Sequence, residues 1–231
     1  MKKRYIQLPK GYLSYSQKQL WKSSKAKYIE QYFEGRKNSI IYNDSMVFGS
    51  EFAYQIEHAQ DSGDLLTDAT ALMLKKYDQR DQEIIAEIKT KSGWIKIIGR
   101  PDTFNSKTCD FREYKTGLRP WTQRKAEKHS QLTFYGMLIY LKHNVAPDHC
   151  WLDWIETEKV KIVNDFLGEI EQMKPTGKIL SFKVEIGLRR ILEEIADTIK
   201  VAEEIELAYA SYIPQINKLT YGLPRHTKLC K

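Results

Sequence analysis

Near residue 82 the hydrophobic period of this chain changes from three or four residues to two. A pattern with the helical period does not sit still as a strand, so the change divides the chain into regions of different structure. Upstream, "LSYSQKQLWKSSKAKYIEQYFEG" opens with Ser14 as its N-cap candidate and carries Leu20, Tyr28 and Tyr32 at helical spacing. A second helix is predicted from about Asp44 to Gln60, with Phe48, Phe52 and Ile56 as its apolar stripe. Gly49 lies inside it, which costs helix stability and so marks close packing. "DLLTDATALMLKKY" reads as a third helix with Leu65, Ala69, Leu72 and Leu74 mostly inward.

Downstream, "QEIIAEIKT" and "WIKIIGRPD" alternate as strands, and the "KSG" between them reads as a hairpin turn. "TCDFREYK" is the next strand, followed by one long helix over "RPWTQRKAEKHSQLTFYGMLIYLKH", where Leu132, Tyr135, Leu138 and Ile139 repeat. "DHCWLDWIETE" and "GKILSFKVEI" are strands, while Lys159 to Met173 fits neither period. The chain closes on an amphipathic helix with Leu188, Ile191, Ile195, Ile199 and Ala202 on one face. Helices first, then a mostly meandering sheet, a helix and more strands imply an α/β fold with a mixed β-sheet core flanked by helices. Across 231 residues no linker composition or internal repeat interrupts it, so one domain over 1–231 is expected.

The formal charge of +7 and a pI near 9.1 favour a polyanionic partner, although many basic proteins are merely soluble. "MKKRYIQLPKG" has no apolar run behind it and is not read as a signal peptide, and "YGMLIYL" is too short to span a bilayer. Cys109, Cys150 and Cys230 are odd in number and far apart, which suits reduced thiols in the cytoplasm. His129, His143 and His149 lack zinc spacing and read as ordinary structural histidines.

Asp102 closes "WIKIIGRPD", and "REYKTG" supplies Glu113 and Lys115. Two carboxylates at neighbouring strand ends suit a hard divalent cation, which takes oxygen ligands and keeps several waters. Lys115, two residues from Glu113 on a strand, points the same way and suits proton transfer or charge stabilisation beside a phosphate. An E-x-K pair alone is most simply a surface ion pair. "GLRPWTQRKAEKH" surrounds Trp121 with Arg119, Arg124, Lys125 and Lys128, either a phosphate-contacting strip with one stacking ring or a solvated basic loop.

The order "GRPD", "EYKTG" and then a helix with "QLTFY" resembles the PD-(D/E)XK nuclease superfamily, nearest its RecB-type, phage-exonuclease-like branch. The resemblance implies a restriction-endonuclease-like core and a deoxyribonuclease using one or two Mg2+ or Mn2+ ions. It implies that Asp102, Glu113 and the backbone carbonyl of Tyr114 hold the ion and that Lys115 orients or deprotonates water. Gln131 and Tyr135 match its Q-x-x-x-Y pair and would position the scissile phosphate or Lys115. Relatives often carry a metal-site His on an early helix. Ala53 fills that slot here, leaving Glu57 one turn on as the candidate replacement and Glu51 as the alternative. Some relatives close an iron–sulfur cluster with one early and three C-terminal cysteines. This tail offers only Cys230, so no cluster is expected. The implied role is an exonuclease in recombination, repair or phage DNA processing, with DNA as substrate, no membrane, and a recombination or phage protein as a possible partner. An endonuclease, or an inactive DNA-binding module on the same fold, are the alternatives.

Overall fold

The computed structural model describes residues 3–36, 44–58, 60–80, 82–164 and 168–221. In chain order these form β1 (Leu13–Ser14), α1 (Tyr15–Ser23), α2 (Lys25–Tyr28), a π-helical turn (Ile29–Phe33), α3 (Asp44–His58) and α4 (Leu65–Met73). Next come β2 (Gln79–Arg80), β3 (Ile84–Lys89), β4 (Trp94–Gly99), β5 (Thr103–Phe104) and β6 (Phe111–Gly117). Then follow α5 (Gln123–Glu127), α6 (Ser130–His143), β7 (Cys150–Asn164), β8 (Gly168–Val184) and α7 (Leu188–Tyr221). The result is an α/β fold with a mixed sheet and flanking helices, the class read from the sequence. No helix among the described residues is long and apolar enough to cross a membrane.

The chain divides into two compact units. The first comprises Met1–Asn38, Glu87–Ile97 and Ile195–Lys231. Here Ser14 caps α1 by accepting from Gln17 N–H, as its position predicts. Leu13, Trp21, Tyr28, Ile95, Ile97, Ala202 and Ile205 form an apolar interior. Lys18 is almost wholly buried yet satisfied, 2.7 Å from Asp197 and 3.2 Å from Thr198 Oγ1. A buried ammonium is tolerated only when so paired.

The second unit comprises Ser39–Ala86 and Ile98–Glu194. Its sheet runs β2-β5-β6-β7-β8, with β6 and β7 parallel and every other pair antiparallel. A parallel pair needs a crossover, and α5 and α6 supply it. Phe52 and Ile56 of α3 pack with Leu74 and Ile155 on one side of this sheet. The expected packing at Gly49 is present: a Cβ there would sit 3.0 Å from Thr116 Oγ1.

Several expectations need correction. Strands β3 and β4 belong to a separate three-stranded sheet, β1-β4-β3, rather than to one meander. The long helix over Arg119–His143 is two helices. Lys128 closes α5, and His129, with extended backbone at φ −74° and ψ 105°, opens α6. No Gly or Pro marks that break. The third helix is turned: Thr67 and Thr70 face inward, whereas Leu65 and Leu72 are 89% and 81% exposed, and Ala69 is exposed too. Burial costs these threonines little because Asp64 Oδ2 and the Leu66 carbonyl accept their hydroxyls at 2.6 and 2.7 Å. On the closing helix Leu188 is exposed while Ile191 and Ala202 are buried. The strand read from Thr108 starts at Phe111, after a turn in which Cys109 takes a left-handed φ of 63°. The described part of Lys159–Met173 belongs to the long β7–β8 hairpin. Cys109 and Cys150 are buried free thiols, and Cys230 lies outside the described residues.

Candidate active site

Pairing of β5 with β6 sets Thr103 opposite Arg112 and Phe104 opposite Phe111. One step back along that antiparallel register, Asp102 comes beside Glu113. Strand β5 ends there, and the Asp102 side chain continues the ladder by accepting the Tyr114 N–H at Oδ2. Eleven residues thus separate two carboxylates in sequence that the hairpin brings together in space.

Alternation along β6 sends Glu113 and Lys115 to one face, Arg112 and Tyr114 to the other. The Arg112 side is locked. Its guanidinium forks onto Asp153 of β7, Nε to Oδ2 at 2.7 Å and Nη2 to Oδ1 at 2.9 Å, with both side chains buried. On the opposite face Lys115 Nζ donates to Glu113 Oε1 at 2.6 Å and to Gln131 Oε1 at 3.0 Å. Gln131 Nε2 donates in turn to Tyr135 OH at 2.9 Å. The four-residue spacing on α6 puts both on one face, and Tyr135 is fixed edge-on to Phe111.

Gly99, in the "GRPD" stretch, completes this arrangement. A Cβ there would lie 2.5 Å from Leu138 Cδ1 and 2.9 Å from Tyr135 Cε1, so only glycine lets α6 approach. Gly99→Ala is expected to destabilise the protein by about 1–3 kcal/mol through overpacking, read as a lower urea midpoint. An unchanged midpoint would show that α6 shifts without cost.

The carboxylates are held in an unfavourable state. Glu113 is 3% exposed, and its Oε2 is buried with no hydrogen-bond partner. Burial raises the Asp102 pKa well above the usual carboxylate range, and the charge of Glu113 adds to it, with a smaller push from Glu57. Burial likewise raises Glu113, against the charge and hydrogen bond of Lys115. Two adjacent acids and an orphaned oxygen are what a hard divalent cation would relieve, so the donor set fits Mg2+ or Mn2+.

A cleft of about 480 Å³ opens over these groups, with Gly49 and Ala53 of α3 along one wall. Glu57, a turn beyond Ala53, is partly buried and near enough to raise Asp102. Among the described residues, however, no three His, Cys, Asp or Glu side chains are grouped as a metal-holding cluster. Glu51 is exposed and lines a different cavity. His58 is exposed and stacks on Tyr54 with ring centroids 4.0 Å apart.

In the basic segment Arg119, Arg124, Lys125 and Lys128 are exposed and Trp121 is half-buried. Lys125 Nζ sits 4.1 Å over the Trp121 ring and His129 meets that ring edge-on, so one face of the indole is already covered. His129, read from sequence as an ordinary structural histidine, stands beside this group. Its Nε2 lies 3.2 Å from Gln131 Oε1, and burial, then the charge of Lys115, push its pKa down to about 4. The spacing His-x-Gln at the start of a helix was the available signal. His143 stacks on Phe104, and His149 gives its backbone N–H to Asp110.

No protein-family model matches the chain, and no curated protein matches its sequence. Among solved structures it is similar to an alkaline exonuclease from Laribacter hongkongensis, at 15% identity and TM-score 0.47, over 90% of this chain and 95% of that one. It is also similar to a phage-related exonuclease from Haemophilus somnus, at 13% identity and TM-score 0.48, over 90% of this chain and 86% of that one.

Proposed function

We propose that the chain is a Mg2+- or Mn2+-dependent deoxyribonuclease with a single PD-(D/E)XK domain on a restriction-endonuclease-like core, working as an exonuclease in recombination, repair or phage DNA processing. The observation that carries this reading is the buried, unpartnered Glu113 Oε2 beside Asp102, with Lys115 held at the same carboxylate. Asp102, Glu113 and the Tyr114 carbonyl would hold the ion, with Glu57 as an outer contributor. A bound cation supplies Lewis-acid charge and a water of lowered pKa.

The protein's own groups do the rest. Lys115 Nζ brings a positive charge and donatable protons to where negative charge grows on a phosphate. Its bonds to Glu113 Oε1 and Gln131 Oε1 restrict where that charge stands. Tyr135 steadies Gln131 through the hydroxyl. The exposed strip of Arg119, Arg124, Lys125 and Lys128 supplies phosphate contacts, and such contacts make binding salt-dependent. Base stacking on Trp121 would use the face that Lys125 leaves open. The test is cleavage of labelled linear and circular DNA, single- and double-stranded, with Mg2+ or Mn2+. Degradation of linear but not circular DNA is expected. Cutting of circles would make the protein an endonuclease, and no cutting of any form would leave a DNA-binding module.

Cation binding should also appear as stability. Both site acids have raised pKa values, so their charged forms cost stability above those values. The cation-free protein therefore gains stability from this pair as pH falls from the raised values toward the ordinary 3.8 and 4.5. His129 acts oppositely: with a folded pKa of about 4 against 6.5, it costs stability as pH falls through that window. Comparing melts with and without Mg2+ at each pH cancels His129. Mg2+ at a hundred times its Kd should add about 2.7 kcal/mol at neutral pH and fade in acid. A Mg2+ effect independent of pH would place the ion elsewhere.

A further inference from the structure

The Gln131 amide meets three partners, and their chemistry fixes its orientation. Lys115 Nζ can only donate, so the atom 3.0 Å from it is the amide oxygen. The amide nitrogen then faces Tyr135 OH. His129 Nε2 stands 3.2 Å from that same oxygen. A bare ring nitrogen there would set lone pair against lone pair, so Nε2 carries the ring proton. His129 also occupies the N-cap position of α6 without making a side-chain cap bond. Its ring is committed to Gln131 through Nε2 and to Trp121 through a T-shaped contact, ring centroids 5.0 Å apart.

We propose that His129 is a positioning residue for Lys115: its Nε2–H and the Lys115 ammonium share the Gln131 carbonyl, and that second donor stops the amide from flipping. The terminal torsion of glutamine is broad and nearly two-fold, and Tyr135 OH can donate or accept, so without His129 only the Lys115 ammonium opposes a turn of the NH2 toward itself; a second donor on the same oxygen makes that turn costlier. After that turn two donors would face each other, and Lys115 would lose its bond to Gln131 while the one to Glu113 remains. With His129 in place the ammonium is fixed between one carboxylate and one carbonyl. The consequence for catalysis rests on the nuclease reading. The clamp itself concerns three side chains and can be judged without any cleavage.

The experiment uses the full chain without added metal. Long-range proton–nitrogen NMR spectra at pH 7 should show His129 as the neutral Nε2–H tautomer. The Nδ1–H tautomer would overturn the proposal, and this measurement needs no variant. His129→Phe keeps a ring against Trp121 but loses the donor, whereas His129→Gln returns an N–H near the Nε2 position. Acetylation of Lys115, read by mass spectrometry, should rise roughly two- to tenfold in the Phe variant, the range one hydrogen bond commands, and return toward wild type in the Gln variant. Equal labelling in wild type and the Phe variant would also overturn it. On DNA with Mg2+, the Phe variant should lose kcat with KM unchanged, and the Gln variant should recover it. If wild type cuts no DNA while the tautomer and labelling come out as expected, the nuclease reading fails and the clamp stands.

Discussion

Lys115→Ala is expected to lower the rate of DNA cleavage by roughly a hundredfold or more, the usual loss for one well-placed charge-stabilising or proton-transferring group. Divalent-cation affinity should change little, because an ammonium does not ligate a cation. Glu113→Ala should instead weaken cation binding and cleavage together, since it removes the orphaned oxygen. On the proposed reading, which places the phosphate contacts on the exposed Arg119, Arg124, Lys125 and Lys128, DNA affinity should survive both changes. Calorimetric Mg2+ titration beside a cleavage time course separates the effects. Lys115→Ala cutting as fast as wild type would refute the role given to this lysine. Loss of cation binding in that variant would mean that the ion pair with Glu113 builds the site rather than serving it.

The proposed site was unusually legible in sequence because its groups are local. Asp102, Glu113 and Lys115 lie on one hairpin, where strand alternation puts Glu113 and Lys115 on one face; Gln131 and Tyr135 share one helical turn but were picked out through the resemblance, not through periodicity. Gly49 signalled close approach by lacking a side chain, whereas the approach of α6 to Gly99 is seen only in the structure. What stayed hidden was set by tertiary partners. The break at Lys128–His129 has no Gly or Pro, yet it is what aims His129 at Gln131. The α4 face was misread because Thr67 and Thr70 satisfy their own hydroxyls and can be buried in place of leucines. The Lys159–Met173 region has no clean alternation because β7 and β8 pair with each other along a long hairpin. No local pattern could show that Arg112 would find Asp153, 41 residues away.

That pair gives the largest expected stability effect. Asp153→Ala should destabilise the protein by about 3–5 kcal/mol, the cost of leaving a buried charge without its partner. Arg112 would keep its stacking on Trp151, 4.9 Å from the ring centroid, but stacking does not neutralise a guanidinium. Removing both charges with a packed pair such as Arg112→Met with Asp153→Leu should recover most of the loss, since much of it is the uncompensated charge rather than the value of the bridge. Urea unfolding of the single and double variants decides this. A single variant within about 1 kcal/mol of wild type would mean the pair behaves like an exposed ion pair and is solvated despite its burial. The pair also matters to the site. Strand alternation ties the inward-facing Arg112 to the opposite direction of Glu113, so freeing Arg112 lets β6 twist. Asp153→Ala should therefore weaken Mg2+ binding even under conditions where it remains folded, and the double variant should restore it by fixing that face of β6 again. Full Mg2+ affinity in a folded Asp153→Ala protein would show that the hairpin from Asp102 to Glu113 orients the carboxylates without help from β7.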